Sequence, residues 1–364
     1  MRRRLLSVIA AVAALTLILA ACGGGNDNGG GASASSSGKT PKVGVILPDT
    51  KSSARWENND KPLLEAAFKA AGVQYDIQNA QGDKTQFQTI ADQMITGGAN
   101  VLMITNLDSG TGKAVLDKAK SQGVATIDYD RLTLNGGANY YVSFDNVAVG
   151  TLQGEGLAKC LEAKGKNNAN IVYLNGSPTD NNATLFKQGY DGVLSKTPGW
   201  TKVGEQTGNW DAPTAGRVFS SMLGKNPDIK AVMVANDTMA GAVVTDLKRQ
   251  SLNGKVAVSG QDASAEGLQH ILDGDQCFTI YKPSTAEAAP AIEAIAQLAN
   301  GQVPDTKGVT ITDPQTKKKV PAILATPVAV TIDNVADPIN DQYTPKKDVC
   351  TGAYAAKCTK AGVN

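Results

Sequence analysis

Charged, amide and indole side chains recur in short clusters along this 364-residue sequence, and their types define one kind of chemistry. In chain order the clusters are Lys51, Arg55 and Trp56; Asn106 and Asp108; Asp130 and Arg131; Asp180 and Asn182; Trp210; Asn236 and Asp237; Asp262; and Lys282. Asp and Asn accept or share hydrogen bonds, Arg and Lys donate them, and Trp offers a flat apolar face. A neutral pyranose suits this mixture, because each hydroxyl both donates and accepts while its axial C–H groups present patches for an indole to cover. A phosphorylated or carboxylated ligand would call for an excess of cations, whereas here acids balance bases.

Catalytic templates find little support. His270 is the sole histidine, so a histidine-rich metal site is excluded and any Ser-His-Asp arrangement would depend on one residue in a helical stretch. Gly38-Lys39-Thr40 resembles the end of a phosphate loop, but Ser33 stands where the first glycine is needed and no strand precedes it. Gly154 and Gly156 fall inside a helical pattern and make no dinucleotide fingerprint. The reading is a non-enzymatic binding protein without cofactor or metal.

The elements that must position these clusters are short apolar runs rich in Val and Ile. Strands are predicted at Val43–Leu47, Val73–Ile77, Val101–Thr105, Val124–Asp128, Tyr140–Phe144, Asn170–Leu174, Lys202–Gln206, Ala231–Ala235, Val256–Gly260 and Cys277–Tyr281. Their near-continuous hydrophobicity is that of strands covered on both faces. Helical patterns lie between most of them: Phe87, Ile90, Ala91, Met94 and Ile95 mark one stripe. The alternation predicts an α/β fold with parallel sheets of βαβ units. Gly72, Gly98, Gly123 and Gly254 are predicted to end helices, and Val309–Ile311 with Lys319–Ile323 to form a late hairpin around Asp313-Pro314-Gln315-Thr316. In open α/β sheets ligands bind beyond the carboxyl ends of strands, where each polar cluster falls, so the clusters can share one crevice.

Targeting and composition bound the rest. Met1-Arg2-Arg3-Arg4 followed by an apolar run to Leu19 reads as a secretory signal over 1–21, too short for a membrane span. Leu19-Ala20-Ala21-Cys22 resembles a bacterial lipobox, which implies lipidation of Cys22. Residues 22–40 are mostly Gly, Ser, Ala and Asn, a flexible tether by composition. The remaining length favours two domains. Lys+Arg 35 against Asp+Glu 34, with no basic stretch beyond the signal, argues against nucleic acid as a partner. Cys160, Cys277, Cys350 and Cys358 remain for an exported chain, where disulfides form readily. Four thiols allow three connectivities; Cys350 with Cys358 and Cys160 with Cys277 are preferred, with buried free thiols the alternative.

At the polar clusters the sequence resembles the xylose- and multiple-sugar-binding branch of the type I periplasmic binding proteins. The resemblance runs from about Lys42 to about Val335. It rests on Lys51-Ser52-Ser53-Ala54-Arg55-Trp56, Tyr129-Asp130-Arg131-Leu132, Phe144-Asp145-Asn146, Gly176-Ser177-Pro178-Thr179-Asp180-Asn181-Asn182-Ala183, Ala235-Asn236-Asp237, Gly260-Gln261-Asp262 and Tyr281-Lys282-Pro283. The tail after Asp341 and the four cysteines depart from that pattern.

The resemblance implies two Rossmann-like lobes, 41–145 plus 283–328 and 146–282 plus 329–364, joined by three crossings near Asp145, Lys282 and Val328. It implies that Arg55, Asp130, Arg131, Asn182, Trp210, Asn236, Asp262 and Lys282 hold a monosaccharide between the lobes, with Lys51, Trp56, Asp180 and Asp108 as further contacts. The implied partner is the membrane part of an ABC importer, met by a monomeric, lipid-anchored, extracytoplasmic receptor. A sugar sensor serving a chemotaxis or two-component partner would share fold and site. A sugar-responsive transcription regulator would need a helix-turn-helix where the signal stands.

Overall fold

Strand residues alternate between two covered faces, and this fixes the first sheet. In the computed structural model, which describes residues 42–363, β1 (Lys42–Leu47) sends Val43, Val45 and Leu47 to one face and Ile46 to the other. β3 (Val101–Ile104) does likewise, with Val101 and Met103 opposed to Leu102 and Ile104. Between and beyond them run β2 (Gln74–Asn79), β4 (Ala125–Tyr129) and β5 (Tyr140–Phe144). Helix α1 (Lys61–Ala70), entered from a wide turn at Trp56–Asp60, covers one face with Leu64 and Phe68. Helices α2 (Lys84–Thr96) and α3 (Ser109–Ser121) cover the other with Phe87, Ile90, Met94, Val115 and Leu116. Each such side chain withdrawn from water contributes roughly 1.5–3 kcal/mol.

After β5 the chain enters α4 (Asn146–Ala163) and builds a second sheet from β6 (Ala169–Asn175), β7 (Trp200–Thr207), β8 (Ala231–Val234) and β9 (Ala257–Val258). These pair in the order β7-β6-β8-β9, all parallel. The connecting helices are α5 (Asn181–Leu194), α6 (Ala212–Lys225), α7 (Asp237–Arg249) and α8 (Ala265–Asp273). Short β10 (Thr279–Tyr281) follows, and then α9 (Ser284–Ala299) returns to the first sheet, burying Ala288, Ala291, Ala294 and Ile295.

The hairpin of β11 (Thr310–Thr312) and β12 (Lys319–Ala325) forms as expected and joins the first sheet. Strand β12 pairs in parallel with β5, so the first sheet has seven strands in the order β11-β12-β5-β4-β3-β1-β2. The chain then crosses once more into β13 (Val328–Val330), antiparallel to β10. The tail, with α10 (Asp337–Asn340), α11 (Lys346–Val349) and α12 (Tyr354–Lys360), buries Val335, Ile339, Val349 and Cys358 against Leu268 and Ile271 of α8.

Disulfides join Cys160 to Cys277 and Cys350 to Cys358. Gly72, Gly98 and Gly123 take left-handed φ just past helix ends, as expected. Gly254 also has a left-handed φ of 70° but does not end a helix: Ser251, at φ 55°, follows α7, and Gly254 sits in the later turn before β9. The expected signal, the lipidated Cys22 and the tether lie outside the described residues. Among the described residues no helix is long and apolar enough to cross a membrane.

Candidate functional site

The loop after β1 is organised by its own polar groups. Asp49 accepts hydrogen bonds from the Lys51 amide at 2.8 Å, the Ser52 amide at 2.6 Å and the Ser52 hydroxyl at 2.9 Å. The Trp56 indole N–H donates to Ser52 Oγ at 3.2 Å. This turn drives Arg55 inward, where its guanidinium donates through Nε and Nη2 to Asp60 at 2.8 and 2.6 Å, through Nη2 to Glu287 at 2.5 Å, and through Nη1 to Asp130 at 3.0 Å. Burial disfavours its charge, but Asp60 and Glu287 outweigh that and hold its pKa well above the ordinary value. Four of the five guanidinium N–H groups are thus committed to protein, and one on Nη1 remains.

Asp130, just past β4, has φ 62°, a conformation Asp tolerates better than most residues. Its carbonyl accepts from Tyr141 Oη at 3.0 Å, Ser143 Oγ at 2.7 Å and Asn182 Nδ2 at 3.0 Å, which pins the backbone. Burial would raise its carboxyl pKa, yet Lys282, Arg55 and Arg131 together lower it, so Asp130 is a charged acceptor. Arg131 reaches Asp180 Oδ2 at 3.1 Å and the Asn106 carbonyl at 3.1 Å. The Trp56 ring lies 4.5 Å from the Arg55 guanidinium carbon and 5.7 Å from that of Arg131.

The second sheet supplies the opposite wall. Asp180 caps α5 by accepting from the Asn182 amide at 2.9 Å and also accepts from the Trp210 indole N–H at 3.1 Å. Its burial raises its pKa against the pull of Arg131. Trp210, with φ 58°, stands edge-on to Phe186 with ring centroids 6.3 Å apart. Asn236 caps α7 and donates across the cleft to the Ser52 carbonyl at 2.9 Å. Asp262 has φ 97°, and its Oδ1 is buried 3.3 Å from Lys282 Nζ without a hydrogen-bond donor among the described residues.

Arg55, Trp56, Asp130, Arg131, Asp180, Asn182, Trp210, Asn236, Asp262 and Lys282 therefore line one narrow cleft, a cavity of about 30 Å³ between the carboxyl ends of the two sheets. Two nominated residues lie elsewhere. Lys51 is exposed, because the Asp49 turn directs Ser52 and Ser53 inward in its place. Asp108 caps α3 through Thr111 and pairs with Lys84, so it serves the helix and not the cleft. Ser52, Ser53, Phe186 and Gln261 line the cleft without having been singled out. Phe186 reads in sequence as one more core residue of an amphipathic helix, whereas Ser52, Ser53 and Gln261 stood inside the quoted motifs. Among the described residues no group of His, Cys, Asp and Glu could hold a metal ion.

A network of positively and negatively charged groups, buried on both sheets and flanking two indoles, can bind a small polyhydroxylated molecule without itself reacting. Comparison with known proteins bears on that geometry. The profile of the periplasmic binding protein domain matches residues 43–302. The D-xylose-binding periplasmic protein of Escherichia coli (strain K12) is 33% identical over 306 residues, covering 83% of this chain and 90% of the relative. The multiple sugar-binding periplasmic protein SbpA of Azospirillum brasilense is 34% identical over 318 residues, covering 81% and 87%. A carbohydrate transporter solute binding protein from Chloroflexus aurantiacus, solved in complex with D-glucose, superimposes with a TM-score of 0.74 at 29% identity, covering 85% of this chain and 98% of that one. An ABC transporter solute binding protein from Clostridium phytofermentans with bound beta-D-glucose gives a TM-score of 0.75 at 26% identity, covering 85% and 99%. On its fold, its cleft and the extent of these matches, the chain belongs to the periplasmic binding protein family.

Proposed function

We propose that this chain is an extracytoplasmic receptor that captures a monosaccharide between its two sheets and delivers it to an ABC importer. The observation that carries this reading is Asp262: its buried Oδ1, 3.3 Å from Lys282 Nζ, has no hydrogen-bond donor among the described residues and lines a cleft walled by Trp56 and Trp210. A sugar hydroxyl satisfies that oxygen and an indole covers the apolar ring face. The solved relatives with bound glucose support the same class of ligand.

In this reading 41–145 plus 283–328 and 146–282 plus 329–364 act as two lobes that move about the crossings near Asp145, Lys282 and Val328. Contacts such as Asn182 to Asp130 and Asn236 to Ser52 then exist only when the cleft is shut. Closure generates a surface that the importer selects. Lipid on Cys22 keeps the monomeric receptor at the outer face of the membrane, since the multiple acyl chains of a bacterial lipoprotein anchor stably where one chain holds marginally.

Isothermal titration with a panel of aldoses, xylose, glucose and galactose among them, tests the reading. Asp262→Ala is expected to lower affinity roughly ten- to a hundredfold, the cost of leaving buried polar groups unpaired. Trp210→Phe keeps more affinity than Trp210→Ala. Unchanged affinity in Asp262→Ala, or no compaction in small-angle scattering when a binding sugar is added, defeats the cleft reading.

A further inference from the structure

The backbone that carries Asp262 is held in an unusual shape by residues outside the cleft. Asp262 and Ala263 have φ of 97° and 48°, two consecutive non-glycine residues in a region that side chains rarely occupy. Such a conformation persists only where the surroundings over-determine it. Here they do so at both peptides that flank Ala263. On the amide side, Asp262 N–H donates to the Ile280 carbonyl at 2.8 Å and Ala263 N–H to Thr279 Oγ1 at 3.1 Å. The Thr279 hydroxyl passes its own proton to Asp237 at 2.9 Å, and the Ser264 amide donates to the same carboxylate at 2.8 Å.

On the carbonyl side the partner comes from the tail. Thr344 Oγ1 donates to the Ala263 carbonyl at 2.6 Å and is itself buried. Thr344 lies beyond the 43–302 span of the family profile, in a segment fastened by Cys350–Cys358 and by the Gln269 side chain donating to the Val349 carbonyl at 2.9 Å. The neighbouring Tyr343 ring packs on Tyr281 with centroids 4.9 Å apart, and its carbonyl accepts from Asn59 at 2.5 Å. Neither Thr344 nor Asp237 lines the cleft.

We propose that Thr344 and Asp237 are positioning residues that fix the pose of Asp262, and so set sugar affinity without touching sugar. The inference rests on the monosaccharide reading of the cleft. With the Asp262–Ala263 peptide tied at its N–H by Thr279, and the Ala263–Ser264 peptide tied at its carbonyl by Thr344 and at its N–H by Asp237, neither rotates and the Asp262 carboxylate keeps its aim at the cleft. Freeing the Ala263 carbonyl lets the Ala263–Ser264 peptide turn and Ala263 and Asp262 relax toward ordinary φ, which swings the carboxylate away.

The test uses the purified full chain with its disulfides oxidised and D-glucose and D-xylose as probes, affinity read by isothermal titration and stability by thermal melting. Thr344→Val, which removes only the hydroxyl, is expected to weaken binding of whichever sugar binds the wild type by roughly tenfold, and Thr344→Ser to restore it. In an Asp262→Ala background the same Thr344→Val change should cost no further affinity while still lowering the melting temperature. Asp237→Asn, whose NH2 replaces one acceptor oxygen and so opposes either the Ser264 amide or the Gln276 side chain, should weaken binding in parallel and serves if Thr344→Val fails to fold. A Thr344→Val chain that melts earlier yet binds as wild type, or one whose affinity loss persists in the Asp262→Ala background, overturns the proposal. Wild-type affinity in Asp262→Ala alone overturns the cleft reading instead, and the positioning claim falls with it.

Discussion

Gly176 lies directly beneath the Trp210 indole: a Cβ at that position would stand 2.0 Å from Trp210 Cζ2. The aromatic wall of the cleft therefore requires the absence of a side chain at the end of β6. Gly176→Ala must displace the indole or bend the strand end, an overpacking cost of about 1–3 kcal/mol. Titration with a sugar that binds the wild type should show a loss of roughly tenfold or more, and the Trp210 to Asp180 hydrogen bond should be lost in a crystal structure of the variant.

Arg55 is expected to matter more for stability than for affinity. Its guanidinium is the cation shared by the carboxyl groups of Asp60, Asp130 and Glu287 in a site that is 3% exposed. Arg55→Ala leaves these carboxylates buried without their cation, and breaking a buried pair in that way costs about 3–5 kcal/mol. Arg55→Lys recovers only part, since one ammonium cannot reproduce the planar fork that meets Asp60 with two nitrogens. Urea unfolding of both variants measures the difference.

Stability should fall as pH rises through neutrality, in part because of Asp128. Burial pushes its carboxyl up to about 7, against two hydrogen bonds from Thr133 that favour the charged form. The unfolded value is near 3.9, so the folded state holds a proton that the unfolded state has released. The contribution is complete below about pH 4 and is lost as pH climbs past the folded pKa. Asp237, pushed up to about 7 chiefly by burial, acts in the same direction. Urea midpoints of the wild type at about pH 5.5 and about pH 8.5 should therefore differ, and Asp128→Asn should flatten the change.

The two disulfides should differ in worth. Cys160 and Cys277 are 117 residues apart, Cys350 and Cys358 only 8. In the chain-entropy account the longer loop contributes about 5 kcal/mol and the shorter about 2.5. Paired Cys→Ser variants, compared by urea unfolding, should rank in that order. Loss of the tail disulfide should in addition loosen Thr344.

Much of this molecule was legible in its sequence because two rules are local. Strands covered on both faces must be apolar throughout, so the runs at Val43, Val101, Ala231 and their kin announced parallel sheets. Side chains just beyond such strands gather at one edge of the sheet whatever the details, which is why Arg55, Asp130, Asn236 and Asp262 were found together. Within a loop, however, the direction of a side chain is settled by the particular polar groups it meets, near or distant in sequence. The Asp49 turn, three residues long, sends Ser52 into the cleft and Lys51 out, and Asp108 caps α3 through Thr111; a rule about strand ends does not separate such turn and cap residues from cleft residues. Glu287, 232 residues from Arg55, joined the buried charge network because α9 returns to the first sheet. Thr344 came to lie under Asp262 because the tail folds back onto α8. No periodicity or spacing encodes those meetings, since they are made by the packing of whole layers.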